Sequence, residues 1–328
     1  MPLFLHGIGH FHPENEIDNR FLEALDIGTN EQWILDRVGI RARRTSLPLD
    51  YIRQTRNADP RAGQEAAVIT NAQMAAGAAR MAIERAGIQA SDIGWVIGGS
   101  SAVDTVSPAE ACNIAHELGL EVPAFDVNSA CTSFFVALHL VSSMRPEALP
   151  RFVLLAVPES LTKTVDYRDR ATAVLWGDGA VAAVVSAVEP GRVEISDTLI
   201  CSSPAGNDKV VVPRQGFFHQ DGAAVQKFAI RRTSQLVTQL REGADPSCTF
   251  GFVGHQANLR MLEGVCRIVG IPAERHFSNV ERFGNTAAAG APSVISQRWD
   301  AWTPQDEVGV VGVGAGLTWS GYRMRFVR

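Results

Sequence analysis

Short apolar runs alternate with longer amphipathic segments along this chain. The segment AQMAAGAARMAIERAG has the Ala, Met, Arg and Glu content of a helix, and its last residue, Gly87, is a typical helix stop. The first half is then predicted to continue as strand DIGWVIGGSS, strand PAFDVNSA, helix Thr132 to Met144, strand RFVLLAV and strand DGAVAAVVSAV. This alternation of strands and helices predicts an α/β protein.

The second half repeats this order of elements. It is predicted to run as helix FAIRRTSQLVTQLREG, strand FGFVGHQ, helix RMLEGVCRIVG, helix NTAAAGAPSVISQRW and strand EVGVVGVGAG. The recurrence of helix, glycine stop, strand and polar loop indicates a duplicated α/β unit rather than a solenoid. We predict two halves, residues 1–190 and 191–328. In them the helix after Cys131 and the helix that begins near Asn285 are counterparts with N-termini facing a common centre.

One segment follows neither the helical nor the strand period. The stretch from Thr45 to Pro60, TSLPLDYIRQTRNADP, is rich in Pro and Arg and is predicted to be an irregular excursion. Long loops of this kind are usually functional or disordered, so the excursion is a place where function could differ between related proteins.

Composition limits the possible functions. The chain has 328 residues, of which 46% are hydrophobic, and this is enough apolar material for a large core. A net charge of -5 without a basic block argues against nucleic-acid binding. The five cysteines form no CxxC pair, which argues against a zinc knuckle or a disulfide framework and for a reduced, cytoplasmic protein.

Neither a membrane nor a metal partner is expected. The N-terminal stretch MPLFLHGIGHFHPENE does not resemble a signal peptide, and no later apolar run is long enough to span a bilayer. His6, His10 and His12 lie in this stretch, but no carboxylate or thiolate joins them at a set spacing. We interpret the three histidines as a surface cluster.

Cys131 in the stretch DVNSACTSFF is the first candidate for chemistry. Free cysteines are often buried and inert, but Cys131 is predicted to lie in the first turn of a helix. There the unpaired backbone N–H groups and the positive end of the helix dipole stabilise a thiolate and can also hold an oxyanion. The other cysteines, at positions 112, 201, 248 and 266, lie within helix or strand patterns and are interpreted as structural.

His255 and Asn285 are two further candidates for chemistry. His255 in GHQANLR comes directly after an apolar strand, where open α/β sheets place ligand sites, and Asn285 in RFGNTAAAG has a similar placement. The alternatives are a structural histidine and a plain helix N-cap. Beside a nucleophilic cysteine, one His and one Asn could donate hydrogen bonds to a thioester carbonyl and stabilise an enolate or a tetrahedral oxyanion.

These motifs together resemble a ketosynthase III, a β-ketoacyl-ACP synthase III-like condensing enzyme of the thiolase superfamily. The resemblance covers almost the whole chain. It rests on EQWILDRVGIRARR, FDVNSACTSF, DRATAVLWGDGA, GHQANLR, FGNTAAAGAP and GVGAGLTWSG, which occur in the family's order. It implies a thiolase-like five-layered αβαβα fold built from two duplicated halves.

The resemblance also implies roles for individual residues. Cys131 would be the acylated nucleophile, and His255 and Asn285 the pair for decarboxylation and condensation. The backbone N–H groups of Cys131 and Ala315 would form the oxyanion hole. The residues that would bind coenzyme A or a carrier protein are Trp33 and Arg170, flanking the adenine, and Arg37 and Arg260, near the phosphate or the carrier.

Several positions depart from the family pattern. Ser107 stands where acetyl-selective members often have an aromatic residue that a dimer partner inserts into the acyl pocket, and a small residue suggests a longer acyl group. Val313 or Phe228 could instead close that pocket. Glu110 could be a second base, as in members that join two acyl chains, or it could simply begin its helix favourably. The segment between Ile200 and Gln226 looks shorter than in the family, which could open the entrance.

The sequence therefore predicts a condensing enzyme that joins a Cys-bound acyl group to a malonyl or β-ketoacyl thioester, in specialised metabolism and with a medium or long acyl substrate. The alternatives are a housekeeping enzyme that initiates fatty-acid synthesis, an acyltransferase to a hydroxyl or amine, and a non-catalytic partner subunit. The expected partners are a second copy of the chain and an acyl carrier protein or acyl-CoA. No cofactor is expected beyond coenzyme A or phosphopantetheine thioesters as substrates.

Overall fold

A computed structural model describes residues 3–214 and 216–327 of the chain. Its strands are β1 (Leu3–Phe11), β2 (Asn15–Asp18), β3 (Ala42–Thr45), β4 (Ile93–Gly98), β5 (Ala124–Asp126), β6 (Phe152–Glu159), β7 (Gly179–Ser186), β8 (Val193–Ser202), β9 (Val210–Val211), β10 (His219–Gln220), β11 (Thr249–Gly254), β12 (Asp306–Gly314) and β13 (Thr318–Phe326). Its α-helices are α1 (Asn19–Ala24), α2 (Glu31–Arg37), α3 (Leu49–Thr55), α4 (Pro60–Ala66), α5 (Asn71–Ala86), α6 (Glu110–Glu117), α7 (Ser133–Ser143), α8 (Arg170–Ala173), α9 (Gly222–Glu242), α10 (Leu259–Val269), α11 (Val280–Phe283) and α12 (Ala287–Gln297).

The main sheet shows the same strand arrangement twice. In the described part of the chain its order is β11-β12-β13-β8-β1-β7-β6-β4-β5, and the antiparallel pair β1 and β8 joins the two halves. In the first half β4 and β6 are parallel and β7 is antiparallel to both of its neighbours. In the second half β11 and β12 are parallel and β13 is antiparallel to both of its neighbours. In the second half, a single parallel bridge between Phe252 and His276 takes the place that the pairing of β4 with β5 has in the first half.

Helices complete a layered architecture. α5 and α6 pack on the strands of the first half, and α9 packs on β11, β12 and β13 of the second half. α7 contacts β6 as well as β8 and β13, while α12 contacts β1, β6 and β7 as well as β11 and β12. Because α7 and α12 touch strands of both halves, they form a central layer between them. The result is the predicted five-layered α/β arrangement, whereas the boundary between residues 190 and 191 stays a prediction.

The alanine-rich sequence of α5 explains how closely this helix approaches the sheet. Thr70 and Gln73 form a capping box at its start, and Gly87 ends it with a φ of 66°. A Cβ atom on Gly9 of β1 would lie 2.0 Å from the carbonyl oxygen of Ala78. Only glycine in the strand and small residues in the helix permit this contact, which packs α5 directly on the strand at the centre of the sheet.

The prediction of an irregular segment from Thr45 to Pro60 is wrong. The middle of that segment, Leu49–Thr55, is helix α3, and Pro60 begins α4 at a position where proline is favoured. Asn57, which lies between the two helices, is fully buried and donates hydrogen bonds to the carbonyl oxygens of Lys163 (2.9 Å) and Val165 (2.8 Å). The segment is therefore anchored to the body of the protein.

The interpretation of the three histidines as a surface cluster is also wrong. His6 and His10 lie on β1 inside the main sheet, and His12 follows it, stacked on the ring of Phe283 at a centroid distance of 3.8 Å. Burial lowers the pKa of His12 to about 3 and that of His10 to about 4. In the part of the chain that the structure describes, no helix is long and apolar enough to cross a membrane.

Candidate active site

Cys131 lies in a tight turn between β5 and α7. The residues Ala130–Thr132 form one turn of 3₁₀ helix that leads directly into α7, so Cys131 sits two residues before the first residue of the helix. Ala130 has a φ of 48°, an unusual conformation for a residue with a side chain, and the side chain of Asn128 accepts a hydrogen bond from its N–H (2.9 Å). The hydroxyl of Ser133 donates to the carbonyl oxygen of Ala130 (2.7 Å). The turn is thus strained and firmly held.

Asn285 occupies the corresponding turn before α12. Its side-chain oxygen accepts a hydrogen bond from the N–H of Ala287 (2.9 Å), and Ala287 has a φ of 43°. Its backbone N–H donates to the carbonyl oxygen of Leu175 (2.8 Å), and its carbonyl oxygen accepts from the N–H of Gly177 (3.0 Å). Because the backbone occupies the side-chain oxygen, the amide nitrogen is the part of the side chain that can donate to a ligand.

His255 directly follows β11 and is buried. Burial lowers the pKa of its imidazole to about 4, so the ring is neutral at neutral pH and can donate a hydrogen bond from one nitrogen. The next residue, Gln256, fixes this corner. It donates to the carbonyl oxygen of Gly254 (2.6 Å) and accepts from the N–H of Asn279 (2.9 Å).

These three side chains line one apolar space, here called the inner cavity. It encloses about 70 Å³ that a water-sized sphere can occupy. Besides Cys131, His255 and Asn285, the inner cavity is lined among others by Trp176, Phe218, Phe228, Met261, Val313 and Ala315. The two halves meet here, since the first half contributes the thiol and the second half contributes the imidazole and the amide.

A larger space, here called the outer cavity, leads to the inner one. It holds about 680 Å³ by the same measure and is lined among others by Trp33, Arg37 and Arg170. The residues that line both cavities, and so join them into one channel, are Phe218, Gln220, Val225, Ala257, Met261 and Asn285.

The end of β12 lies against the cysteine turn. A Cβ atom on Gly314 would lie 3.1 Å from the backbone nitrogen of Cys131 and 3.3 Å from its Cβ, so any larger residue would push the cysteine turn away by a few tenths of an ångström. The hydroxyl of Thr318 donates to the carbonyl oxygen of Ala315 (3.1 Å) and lies 3.0 Å from the hydroxyl of Thr132. These contacts hold the Gly-rich turn beside the thiol, where the oxyanion hole was predicted, and sequence reasoning missed Thr318.

Glu159 lies behind the site and was also missed by sequence reasoning. It ends β6, is fully buried and accepts hydrogen bonds from the N–H of Ser101 (2.9 Å), the hydroxyl of Ser101 (3.1 Å) and the N–H of Ala288 (3.3 Å). Burial raises its pKa to about 8, since these bonds only partly offset the loss of water. Glu159 thereby connects the turn of Asn285 to the first half.

The electrostatic setting of Cys131 differs from the predicted thiolate. Burial raises the pKa of the thiol, the charge of Glu159 raises it further, and a backbone N–H lowers it in part. Cysteines buried in apolar surroundings are neutral thiols. Burial therefore outweighs the helix N-terminus, and Cys131 is a neutral thiol rather than the predicted thiolate.

The predicted coenzyme A residues fall into two groups. The guanidinium carbons of Arg37 and Arg170 lie 4.9 Å and 4.8 Å from the ring centroid of Trp33, and all three residues line the outer cavity. Arg260 does not line either cavity. Its side chain donates to the carbonyl oxygen of Leu35 (3.0 Å) and pairs with Glu263 (3.2 Å), so it bridges α10 to α2.

Of the two predicted acyl-pocket residues, Val313 lines the inner cavity and Ser107 does not, and Glu110, the candidate second base, also lies outside it. Ser107 is exposed and lines neither cavity. Glu110 is the first residue of α6, is buried, and accepts a hydrogen bond from Asn71 (3.3 Å) outside both cavities. Burial and the charge of Asp104 raise its pKa.

Within residues 3–214 and 216–327, no cluster of three His, Cys, Asp or Glu side chains could hold a metal ion.

Comparison with known proteins identifies the class. Residues 125–204 match the family model of 3-oxoacyl-[acyl-carrier-protein] synthase III, and residues 243–326 match the model of its C-terminal part. The chain is 31% identical to the β-ketoacyl-[acyl-carrier-protein] synthase III of Coxiella burnetii (strain CbuK_Q154) over 335 aligned positions, which cover 96% of each protein.

Solved structures agree. The 3-oxoacyl-[acyl-carrier-protein] synthase III from Aquifex aeolicus VF5 superposes with a TM-score of 0.86 at 28% identity, covering 99% of this chain and 100% of the other. The priming β-ketosynthase of the R1128 polyketide pathway superposes with a TM-score of 0.83 at 26% identity, covering 99% and 96%. The protein is thus a condensing acyltransferase with the thiolase-like fold. It belongs to the ketosynthase III family, as its motifs predicted.

Proposed function

We propose that this enzyme joins a medium or long acyl group, held on Cys131, to a malonyl or β-ketoacyl thioester in specialised metabolism. The observation that carries the proposal is the inner cavity, where a thiol, a neutral imidazole and an amide line one apolar space at the end of a channel. The substrate range rests on the small residue Ser107, as argued from the sequence.

The reaction proceeds in two halves. The sulfur of Cys131 attacks the carbonyl carbon of the first thioester, and the thiol of coenzyme A or of a carrier leaves. The backbone N–H groups of Cys131 and Ala315 stabilise the tetrahedral oxyanion. Forming this acyl-enzyme replaces one difficult step with two easier ones.

The second thioester then enters through the emptied channel. His255 and Asn285 donate hydrogen bonds to its carbonyl oxygen. These bonds stabilise the enolate formed when malonyl loses carbon dioxide, or when a β-ketoacyl group gives the acidic proton of carbon 2, which lies between two carbonyls, to solvent. Carbon 2 attacks the acyl-cysteine carbonyl, the new C–C bond forms, and the sulfur of Cys131 leaves. Transfer to a hydroxyl or amine would need no enolate stabilisation, so the pair favours condensation.

The outer cavity supports a pantetheine thioester as the form of both substrates. Trp33 offers an aromatic face, and the cationic side chains of Arg37 and Arg170 beside it suit the phosphates of coenzyme A or of a carrier protein's prosthetic group. In this proposal the substrates are acyl-CoA or acyl carrier protein, no further cofactor takes part, and the working unit is a homodimer.

A second candidate function is the housekeeping initiation of fatty-acid synthesis from a short acyl group. The observation that favours it is the size of the inner cavity, because about 70 Å³ is room for only a few atoms beyond the thioester. The chain-length series described at the end of the Discussion separates the two candidates.

The test of the proposed function measures the two half-reactions separately. Intact-protein mass spectrometry after incubation with acyl-CoAs should show one acyl group on the wild type and none on Cys131→Ala. Asn285→Ala should still be acylated, while its condensation rate falls about a hundredfold or more because one oxyanion donor is lost. Condensation by Asn285→Ala at the wild-type rate would refute the role of the amide, and acylation of Cys131→Ala would refute the nucleophile.

A further inference from the structure

Trp176 holds a polar group that the protein itself does not use. Its side chain lines the inner cavity and is only 5% exposed. The indole N–H is buried and has no acceptor among the described residues. A buried N–H group without an acceptor costs free energy, so native proteins rarely leave one unless a ligand or an ordered water completes it.

The backbone ties Trp176 to the residue that handles the second substrate. Trp176 and Asn285 form a parallel β-bridge, flanked by the hydrogen bonds from Asn285 to Leu175 (2.8 Å) and from Gly177 to Asn285 (3.0 Å). The indole ring packs edge-on against Phe218 at a centroid distance of 4.6 Å, and Phe218 lines both cavities. The backbone bridge and the ring contact with Phe218 therefore fix Trp176 next to Asn285 in the cavity wall.

We infer that the indole N–H of Trp176 donates a hydrogen bond to the oxygen on carbon 3 of the second thioester. The inference rests on the proposed function, in which Asn285 binds the carbonyl oxygen on carbon 1 of that thioester. In malonyl thioesters the acceptor is a carboxylate oxygen, and in β-ketoacyl thioesters it is a ketone oxygen. In both, only carbon 2 separates carbon 3, which carries this oxygen, from the carbonyl carbon whose oxygen Asn285 binds, which suits donors on two bridged residues.

The rest of the cavity wall leaves few other partners for that oxygen. Among the described residues that line the inner cavity, the polar side chains besides Trp176 are Cys131, His255, Asn285 and Gln220. The first three are assigned to the acyl group and to the carbonyl on carbon 1, and Gln220 lies at the boundary of the two cavities, since it lines the outer one as well. Neither Lys nor Arg lines this cavity in the described chain, so a neutral donor meets the oxygen on carbon 3.

The donor makes Trp176 a specificity residue for the condensation half-reaction. A saturated acyl-CoA without oxygen on carbon 3 offers the N–H no acceptor, so such a thioester is accepted as the first substrate but rejected as the second. Sites built to bond a polar substrate group discriminate strongly against analogues that lack it, because the buried donor is then left unpaired.

The test replaces the indole by a ring without the N–H, as Trp176→Phe. A second variant carries 3-benzothienylalanine at this position, which keeps the bicyclic shape and replaces the N–H by sulfur. Acylation of Cys131 by a saturated acyl-CoA should stay within about twofold of wild type in both variants. The kcat/KM of condensation should fall about tenfold with a β-ketoacyl thioester, whose enolate charge is shared by the oxygen on carbon 3. It should fall less with malonyl thioester, because the carboxylate loses its charge as carbon dioxide leaves and the hydrogen bond weakens in the transition state.

Trp302→Phe is the matched control for the loss of an indole N–H. Its N–H donates to the carbonyl oxygen of Ile295 (3.2 Å), away from both cavities, so its kinetics should match wild type. The substrate whose condensation slows in the Trp176 variants, β-ketoacyl or malonyl thioester, shows whether the acceptor is a ketone or a carboxylate oxygen. Unchanged condensation with both substrates in the benzothienyl variant would overturn the inference, as would an equal loss of acylation and condensation. Failure of the wild type to acylate Cys131 or to condense would instead refute the proposed function.

Discussion

At the scale of single residues, burial decides the chemistry of the site. Cys131 and His255 are the only titratable side chains among the described residues that line the inner cavity. Burial raises the pKa of the thiol and lowers that of the imidazole to about 4, so both are neutral at neutral pH. The pair is not a preformed thiolate–imidazolium ion pair, and the neutral imidazole suits the role of a hydrogen-bond donor to the enolate oxygen.

This state predicts the pH dependence of acylation. Because the thiol pKa is raised, the reactive thiolate fraction should rise about tenfold per pH unit, and the acylation rate should rise with it between pH 6 and pH 8. Above pH 8 the charge of Glu159, whose pKa is about 8, should flatten the rise. The measurement is the single-turnover rate of Cys131 acylation across this range.

His255→Ala is the control for this measurement. It should show the same slope, since the imidazole is assigned to condensation. A flat profile in the wild type that becomes steep in His255→Ala would mean that His255 removes the thiol proton during acylation, and the assignment would then be wrong.

At the scale of elements, the segment from Thr45 to Pro60 shows why the sequence pattern did not predict two short helices. α3 and α4 are seven residues each, which is too short for a helical period to show beside Pro48 and Pro60. Tertiary hydrogen bonds hold these two helices in place. Asn57 accepts a hydrogen bond from the hydroxyl of Tyr51 (3.0 Å) and donates to two carbonyl oxygens of the chain between β6 and α8.

Asn57→Ala should therefore destabilise the protein strongly. The change leaves the buried carbonyl oxygens of Lys163 and Val165 without their donor, at about 1–3 kcal/mol for each unsatisfied group. It also places alanine at a φ of 50°, which asparagine tolerates better. We expect the free energy of unfolding, measured by urea denaturation, to fall by roughly 2–4 kcal/mol. Asn207→Ala, at an exposed position, should change it little, and an equal effect of both variants would contradict the anchoring role.

The long elements were predictable from the sequence because each carries its own signal. α5, α9 and α10 end at or beside the glycines that the sequence marks as stops, and β6 and β7 are continuous apolar runs. The motif residues Cys131, His255 and Asn285 line one cavity. Cys131 and His255 follow strands β5 and β11, whereas Asn285 follows helix α11 and not the strand end that the sequence suggested. Glu159 and Trp176 were missed because a strand-end carboxylate and an aromatic residue before a turn look ordinary until their buried surroundings are known. Arg260 was placed by motif position alone, and its bond to Leu35 depends on how α10 meets α2.

At the scale of the whole molecule, duplication explains why one half holds the nucleophile and the other its partners. The turns before α7 and α12 are alike, since in each an asparagine side chain accepts from the N–H of an alanine with positive φ. In the first turn the next residue is Cys131, and in the second it is Ala288, whose N–H donates to Glu159. The same backbone device therefore presents a thiol in one half and an amide in the other, at the centre of the molecule.

The acyl pocket extends this argument beyond a single chain. Ser107 is not among the residues that line the two cavities of its own chain, so in the proposed homodimer it would act on acyl selection in the second copy. If the partner's loop closes the pocket, a serine there leaves space, and each buried methylene of a longer acyl chain gains up to about 0.8 kcal/mol, roughly a fourfold preference. Medium or long acyl thioesters should then acylate Cys131 better than acetyl-CoA does.

Ser107→Phe should lower the acylation rate with long chains and spare the rate with acetyl-CoA, because an aromatic ring would fill the space that the serine leaves. The measurement is kcat/KM for acylation across an acetyl-to-dodecanoyl series on both proteins, with the dimer content of each followed by light scattering. If Ser107→Phe changes the chain-length preference but not the fraction of dimer, Ser107 lies in the acyl pocket of the partner. A wild type that prefers acetyl-CoA, together with an unaltered profile in the variant, would mean that residues of the same chain such as Phe228 or Val313 close the inner cavity. The housekeeping initiating role would then be the better assignment.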